Sequence, residues 1–313
     1  MKIIIAGAGA MGSRFGLMLH QAKNDVIFID GWQEHIDKIN RDGLEANFNG
    51  EKVVAKIPTY HQEKASEIDF AADLIIVFTK AMQLDHMMDC VKTMIGEQTK
   101  VLCLLNGLGH EDIIEKYVSK DHILLGNTMW TAGLEGPGKA KLFGDGYLEL
   151  QSLDENGEAT AEKVIAVLNE AKLNAKYSHH ILESIYRKAC VNGTMNGLCT
   201  LLDSNMADFG ETSAANQIVL SIVNEFANVA KHEKVELDSK QVLEQVRSCY
   251  NRDTIGLHHP SMYQDLIENH RLTEIDYING AIVRKGKMYN VPTPYCAFLT
   301  QLIHCKEELL DAK

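Results

Sequence analysis

The sequence predicts an α/β protein: an N-terminal, doubly wound parallel sheet followed by a second domain built of helices alone. Three observations carry this. Short apolar runs alternate with longer helix-compatible segments through the first half of the chain, a pattern that covers a parallel sheet on both faces. Strand signals stop near residue 178 and long helical patterns take over. A length of 313 residues supplies about two domains at roughly 150 residues each. The expected division is a first domain at 1–172 and a second at 173–313.

The apolar runs 2–6, 25–30, 73–78, 101–105 and 123–129 read as strands, each too short for a stable helix. Segment 81–95 reads as a helix, with Leu84, Met87, Met88, Val91 and Ile95 at helical spacing and its methionines as core filler. Leu44–Phe48 and Val53–Ile57 flank Asn49-Gly50, whose tolerance of positive φ suits a tight hairpin, read as an insert. A strand-like stretch from Trp130 through Gly136-Pro137-Gly138 to Leu150 closes the first domain before a helix at 158–171. Helical patterns then cover 179–202, 211–232, 238–252, 261–269, 274–289 and 294–310. Pro292 and Pro294 set the last break, because a residue before proline is pushed out of the helical region.

Composition removes several classes of function. With 31 Lys+Arg against 43 Asp+Glu the net charge is −12, which repels a phosphate backbone, so nucleic acid is not an expected partner. The longest apolar runs fall far short of the ~18 residues of a membrane span. Seven cysteines, odd in number and scattered without a Cys-x-x-Cys pair, suit reduced thiols in a cytoplasm, without disulfides or zinc. Thirteen histidines include the adjacent pairs His179-His180 and His258-His259. Adjacent side chains diverge and no His-x-x-x-His occurs, so no metal is expected. The helical domain permits a homodimer without requiring one.

Lys2–Ala6 runs into Gly7-Ala-Gly9-Ala10-Met11-Gly12 and then into an apolar helix pattern. The first glycine permits a tight turn, the second lets backbone reach a pyrophosphate, and the third lets the helix pack on the strand. Free N–H groups at the helix start bind phosphates. The loop follows a strand, opens a helix and begins a strand–helix alternation, the context a dinucleotide site requires. Strand 25–30 ends in Asp30, 18 positions after Gly12, near the ~20-residue spacing at which a carboxylate accepts ribose hydroxyls. Asp30 either does this or caps the next helix. A 2′-phosphate beside it would meet like charge, so NAD is the expected cofactor and NADP the alternative.

The pattern at 181–202 is apolar or small on nearly every side, which marks a buried helix. Yet Lys188, Asn192 and Asn196 recur every four residues as one polar stripe, and an unpaired ammonium in a core is strongly penalised. The stripe either lines a cleft or is a solvated face; Gly193 and Gly197 beside it permit close approach of another backbone. Glu274 shares a stripe with Ile278 and Ala281, a carboxylate turned toward apolar surroundings and wanting a cation, for which Lys188 is the candidate. Ser261 with Gln264, and Thr273 with Asp276, each fit a capping box. Asn106, just past the 101–105 strand, sits where open parallel sheets bind ligands, although Asn106-Gly107 also reads as a simple turn. Ketone reduction uses all these parts. Hydride delivered to a carbonyl carbon leaves negative charge on oxygen, so the site needs a cationic proton donor, a role Lys188 can fill.

Gly7-x-Gly9-x-x-Gly12, Thr79-Lys80-Ala81-Met82-Gln83, Asn106-Gly107, Lys188-x-x-x-Asn192-x-x-x-Asn196, Ser261-Met262-Tyr263-Gln264-Asp265 and Thr273-Glu274-Ile275-Asp276-Tyr277-Ile278-Asn279-Gly280 together resemble the ketopantoate reductase family across nearly the whole chain. The resemblance implies a Rossmann domain joined to a helical domain, with the active site in the cleft between them. It implies Lys188 as general acid with Glu274 as partner, and Asn106, Asn192, Asn196 and Ser261 holding a 2-oxo acid. It also implies that Lys80, Asn106 and Glu274 lie along the cofactor, beside Gly7, Gly9, Ala10, Met11, Gly12 and Asp30, and that the product is a D-2-hydroxy acid. Family members that make pantoate usually carry a basic residue after strand two, where this chain has Asp30-Gly31-Trp32. It resembles more closely the NAD-dependent D-2-hydroxyacid dehydrogenase branch, D-mandelate dehydrogenases included, acting on 2-oxo acids branched at C3. NADPH-dependent 2-dehydropantoate reduction is the alternative.

Overall fold

The computed structural model describes residues 1–313, and the chain divides into two compact units. One comprises Met1–Leu105 and His110–Ile181; the other comprises Asn106–Gly109 and Leu182–Lys313. This differs from a division at 172/173 in two ways: Ala175–Tyr177 adds one more strand to the first unit, and a four-residue loop counts with the second.

In the first unit the chain order is β1 Lys2–Ala6, α1 Ala10–Gln21, β2 Asp25–Asp30, α2 Gln33–Asp42, β3 Leu44–Phe48, β4 Glu51–Ala55, β5 Thr59–His61, β6 Ala72–Val77, α3 Leu84–Val91 and β7 Ile95–Cys103. Then come α4 Glu111–Ile114, β8 Ile123–Thr128, β9 Thr131–Gly136, β10 Lys139–Phe143, β11 Leu148–Ser152, α5 Glu158–Glu170 and β12 Ala175–Tyr177. The main sheet runs β12-β11-β8-β7-β6-β1-β2-β5. Its span from β5 to β8 is parallel, which explains why Ile3, Ile4 and Ile5 are all fully buried: such strands are covered on both faces. The sheet is mixed rather than wholly parallel, because β11 runs antiparallel to β8. The strand order reverses at β1, between β2 and β6, and the carboxyl ends of strands at such a reversal are where ligands of this architecture bind.

The Asn49-Gly50 hairpin forms as expected, with φ of +50° and +94°. It is no isolated insert. β3 pairs in parallel with β10, giving a second sheet of order β4-β3-β10-β9. Its partner hairpin β9–β10 packs against α1. Arg14 of α1 is fully buried there, donating from Nη2 to the Phe143 carbonyl at 3.1 Å and lying 4.3 Å from the Trp130 ring centroid. The 81–95 segment is less regular than its spacing suggests: single 3₁₀ turns precede and follow α3, and Ile95 already begins β7.

The second unit is helical: α6 Ile181–Leu202, α7 Met206–Gly210, α8 Ala215–His232, α9 Ser239–Ser248, α10 Ser261–Tyr263, α11 Asn279–Tyr289 and α12 Pro294–Leu309. Its core gathers Val191, Met195, Val219, Phe226, Ile282, Leu299 and Ile303. Buried Glu225 of α8 accepts from the Tyr295 and Cys296 N–H groups, each at 2.8 Å, and so caps α12 with a carboxylate from another helix. No helix in the chain is long and apolar enough to cross a membrane, and all seven cysteines are free thiols.

Candidate active site

The glycine loop between β1 and α1 shows three glycines doing three different jobs. Gly7 has φ +99°, and a Cβ there would lie 2.7 Å from the Phe78 carbonyl carbon and 2.8 Å from the Thr79 nitrogen. Its bare backbone therefore lets the loop after β1 touch the loop after β6. A Cβ on Gly12 would sit 1.9 Å from the Gly7 oxygen and 3.0 Å from Ile5 Cγ2, so the third glycine allows α1 to close on the strand. A Cβ on Gly9 would meet nothing within 4 Å. Its bareness serves no contact inside the protein and leaves room for another molecule to approach the backbone at Gly9, Ala10 and Met11. Gly9 is also the N-cap of α1 with no side chain capping it, and the first turn of a helix has N–H groups without internal partners. These features fit a pyrophosphate.

Asp30, at the end of β2, holds the loop in place. Its Oδ2 accepts the Ala8 N–H at 2.6 Å and its Oδ1 accepts the Trp32 N–H at 2.8 Å. The helix-capping alternative does not hold, since the N-cap of α2 is Trp32 and makes no side-chain cap. Each carboxylate oxygen keeps a second lone-pair direction for a hydroxyl donor. Sequence reasoning missed His35, which is buried and stacks on Trp32 with ring centroids 5.1 Å apart. Its Nδ1 accepts the Gly138 N–H at 3.0 Å, so Nε2 is the protonated nitrogen and donates to the Ala8 carbonyl at 2.9 Å. Burial pushes its pKa down against the pull of Asp30, and the neutral ring fits both bonds. Lys80, half-buried, stands at the head of the 3₁₀ turn that follows β6.

In the helical unit, Lys188 is half-buried on α6. Burial lowers its pKa while the charge of Glu274 opposes the shift, so the two residues paired by sequence reasoning do sense each other. One turn on, Asn192 is half-buried, and one turn further Asn196 is buried. The neighbouring glycines have a different purpose from the expected one. A Cβ on Gly193 would strike Phe226 Cζ at 2.7 Å, and one on Gly197 would press on Leu299 at 3.1 Å; they admit side chains of α8 and α12 rather than a passing backbone.

Glu274 opens a 3₁₀ turn, Ile275–Tyr277, within a segment anchored from both sides. The Thr273 N–H donates to buried Glu307 at 2.7 Å. His304 bridges Glu307 at 2.9 Å and Asp276 at 3.1 Å. Thr273 accepts the Ile275 N–H through its hydroxyl at 3.3 Å, while Asp276 turns to His304 instead of closing a capping box. The Asn106 loop docks on this same segment: the Leu108 N–H donates to the Tyr277 carbonyl at 2.8 Å. Gly107, at φ +101°, approaches so closely that a Cβ would lie 2.4 Å from that oxygen. Asn106-Gly107 is thus a turn, and the turn carries Asn106 to the segment of Glu274.

Ser261 is exposed and is the first residue of α10, whose N-cap is Pro260, so its hydroxyl caps nothing and the capping-box reading fails. A single π-helical turn, Gln264–Glu268, follows it, held by buried Asp265 bonded to Arg271 at 2.7 Å; such turns recur at functional sites. The residues thus gather as Asn106 with the Glu274 segment and Lys188 with Glu274. Gly7, Gly9, Gly12, Asp30 and Lys80 belong to the other unit. A groove of about 540 Å³ along α2, lined by residues such as Glu34, Arg41 and Lys139, contains none of the predicted site residues.

Comparison with known proteins decides the family. Residues 3–155 match the ketopantoate reductase PanE/ApbA family and residues 180–307 match its C-terminal counterpart. The chain belongs to the ketopantoate reductase family. It is therefore an oxidoreductase of that family with the Rossmann-like and helical architecture described above. A protein of Lactococcus lactis subsp. lactis named 2-dehydropantoate 2-reductase is 65% identical over the full length of both chains. Relatives of the same name in Streptococcus pyogenes are 47% identical over 99% of both chains. Among solved family structures, D-mandelate dehydrogenase in ternary complex with NADH and anilino(oxo)acetate is 62% identical, with a TM-score of 0.94 over 100% of both chains. A 2-dehydropantoate 2-reductase from Enterococcus faecalis, so named provisionally, is 58% identical over 100% of both chains, with a TM-score of 0.85.

Proposed function

We propose that this chain is an NAD-dependent D-2-hydroxyacid dehydrogenase acting on a 2-oxo acid branched at C3, with Lys188 as the general acid and base. The observation that carries the chemistry is the half-buried Lys188 ammonium, its pKa lowered by burial and steadied by Glu274. A lowered pKa brings a proton donor closer to the working pH, where general acid catalysis is most effective. A nicotinamide held there would supply the hydride for the carbonyl carbon. Lys188 Nζ gives a proton to the carbonyl oxygen as charge grows there, and takes it back in the oxidative direction. Asn192, Asn196 and Ser261 hold the 2-oxo acid, while Glu274 keeps the ammonium charged and oriented. Asn106 and Lys80 serve the cofactor side. Gly7, Gly9, Ala10, Met11 and Gly12 cradle the pyrophosphate, and Asp30 accepts the ribose hydroxyls.

NAD is favoured because the Asp30 carboxylate, already fixed by two backbone N–H groups, meets a 2′-phosphate with like charge. The 62% identity to a D-mandelate dehydrogenase solved with NADH supports the same assignment. The second reading, NADPH-dependent reduction of 2-dehydropantoate, is favoured by the name of the 65% identical L. lactis relative. Steady-state kcat/KM for 2-dehydropantoate, benzoylformate and 2-oxoisovalerate, each with NADH and NADPH, separates them. The proposal expects NADH to be preferred and an aromatic or branched 2-oxo acid to exceed 2-dehydropantoate. A preference for NADPH together with 2-dehydropantoate establishes the second reading instead.

A further inference from the structure

We propose that Glu63, His86 and Cys90 form a binding site for a divalent transition cation, Zn²⁺ being the ion their donor set suits. His86 and Cys90 stand four residues apart on α3 and so share one face. Glu63 reaches the same point from the 3₁₀ turn Gln62–Glu67. The ligating atoms of the three residues all lie within 4.8 Å of one another, with His86 Nε2 at 3.7 Å from Cys90 Sγ and 2.8 Å from Glu63 Oε1.

Those separations are close to what a tetrahedral ion needs. With Zn–S near 2.3 Å and Zn–N near 2.05 Å, a tetrahedral angle sets the nitrogen–sulfur separation at about 3.6 Å. The carboxylate has to withdraw by about 0.6 Å from its hydrogen-bonding distance, an easy motion for a side chain that is more than half exposed. The backbone of Glu63 is itself fixed, because its N–H donates to His61 Nδ1 at 3.3 Å. One thiol, one imidazole and one carboxylate leave a fourth position for water. The carboxylates of Glu63 and Asp89 bring negative charge close to Cys90, which attracts a cation. Expecting no metal from the absence of His-x-x-x-His overlooked His86-x-x-x-Cys90, whose third ligand lies 23 residues upstream. Occupancy would pin α3, which follows directly on the Lys80–Gln83 turn, to the 3₁₀ turn of residues 62–67.

The test is a cobalt(II) chloride titration of the full, reduced, metal-free chain, followed by zinc competition. The expected result is one cobalt per chain, with tetrahedral visible bands and a thiolate-to-cobalt charge-transfer band in the near ultraviolet. Zn²⁺ should bleach that band and raise the unfolding temperature. Cys90→Ser should lose the band, and His86→Ala should lose the zinc-dependent rise, while circular dichroism of both variants without metal matches the parent. A titration without the charge-transfer band overturns the proposal, and so does a band that survives Cys90→Ser, which would belong to exposed Cys305.

Discussion

The glycine loop of the first unit and the Lys188–Glu274 region of the second are built in opposite ways. The loop works by omission. Gly7 and Gly12 lack the atoms that would block a turn and a helix, and bare Gly9 leaves space before backbone N–H groups, to which the proposed function gives the phosphates. Around Lys188 the parts are additions to a greasy helix: an ammonium, two amides and a carboxylate from a distant segment, each costly to bury without partners. The first kind of site tolerates side-chain change and fails on any added methyl group. The second tolerates added bulk elsewhere and fails when one charge is removed.

The largest expected effect belongs to the second kind. Lys188→Ala should lower kcat by roughly 10²- to 10⁴-fold, with NADH affinity by fluorescence titration nearly unchanged. Near-parental turnover would assign Lys188 to packing. Within the loop, Gly12→Ala places a methyl group 1.9 Å from a backbone carbonyl and should cost about 3 kcal/mol or more of stability, read as a shifted urea midpoint. Gly9→Ala meets no atom and should leave that midpoint within about 0.5 kcal/mol. It should nevertheless weaken NADH binding by about tenfold or more through steric exclusion of the pyrophosphate. If Gly9→Ala binds NADH as tightly as the parent, the open space at Gly9 is not where the phosphates sit.

How much could be read in advance follows the same contrast. Glycine spacing, strand alternation and Asp30 are local in sequence, so the nucleotide-binding architecture was legible from the first 30 residues, and the helical nature of the second half was equally plain. Lys188 and Glu274 were legible as anomalies, because a charge in an apolar stripe demands a partner. The partners that hold Glu274 were not. Glu307 is buried and His304 half-buried on α12, and nothing in periodicity connects them with Thr273 and Asp276 about 30 positions earlier. The same holds for Glu225 at the start of α12 and for His35, whose two nitrogens join the glycine loop to the β9–β10 turn. The purpose of Gly193 and Gly197 was misjudged for a related reason: spacing shows that something approaches closely, and only coordinates show that it is Phe226 and Leu299.

The smallest effect concerns the clamp on the Glu274 segment. Burial pushes the His304 pKa down, but the carboxylates of Glu307 and Asp276 outweigh it and leave it raised above its ordinary value. A pKa raised on folding means that the folded state binds the proton more tightly. The clamp therefore contributes its full stability below the unfolded histidine pKa, near 6.5, and loses it as pH rises through the higher folded value. The pair is partly exposed, so solvent screening keeps the gain below about 1 kcal/mol. The difference in urea midpoint between the parent and His304→Gln should be clear at about pH 5.5 and vanish toward about pH 8.5. Because His304 holds Asp276, two residues from Glu274, kcat of the variant should fall modestly with KM for NADH unchanged. A midpoint difference that grows with pH would mean that His304 is neutral in the folded protein and that its two contacts are ordinary hydrogen bonds.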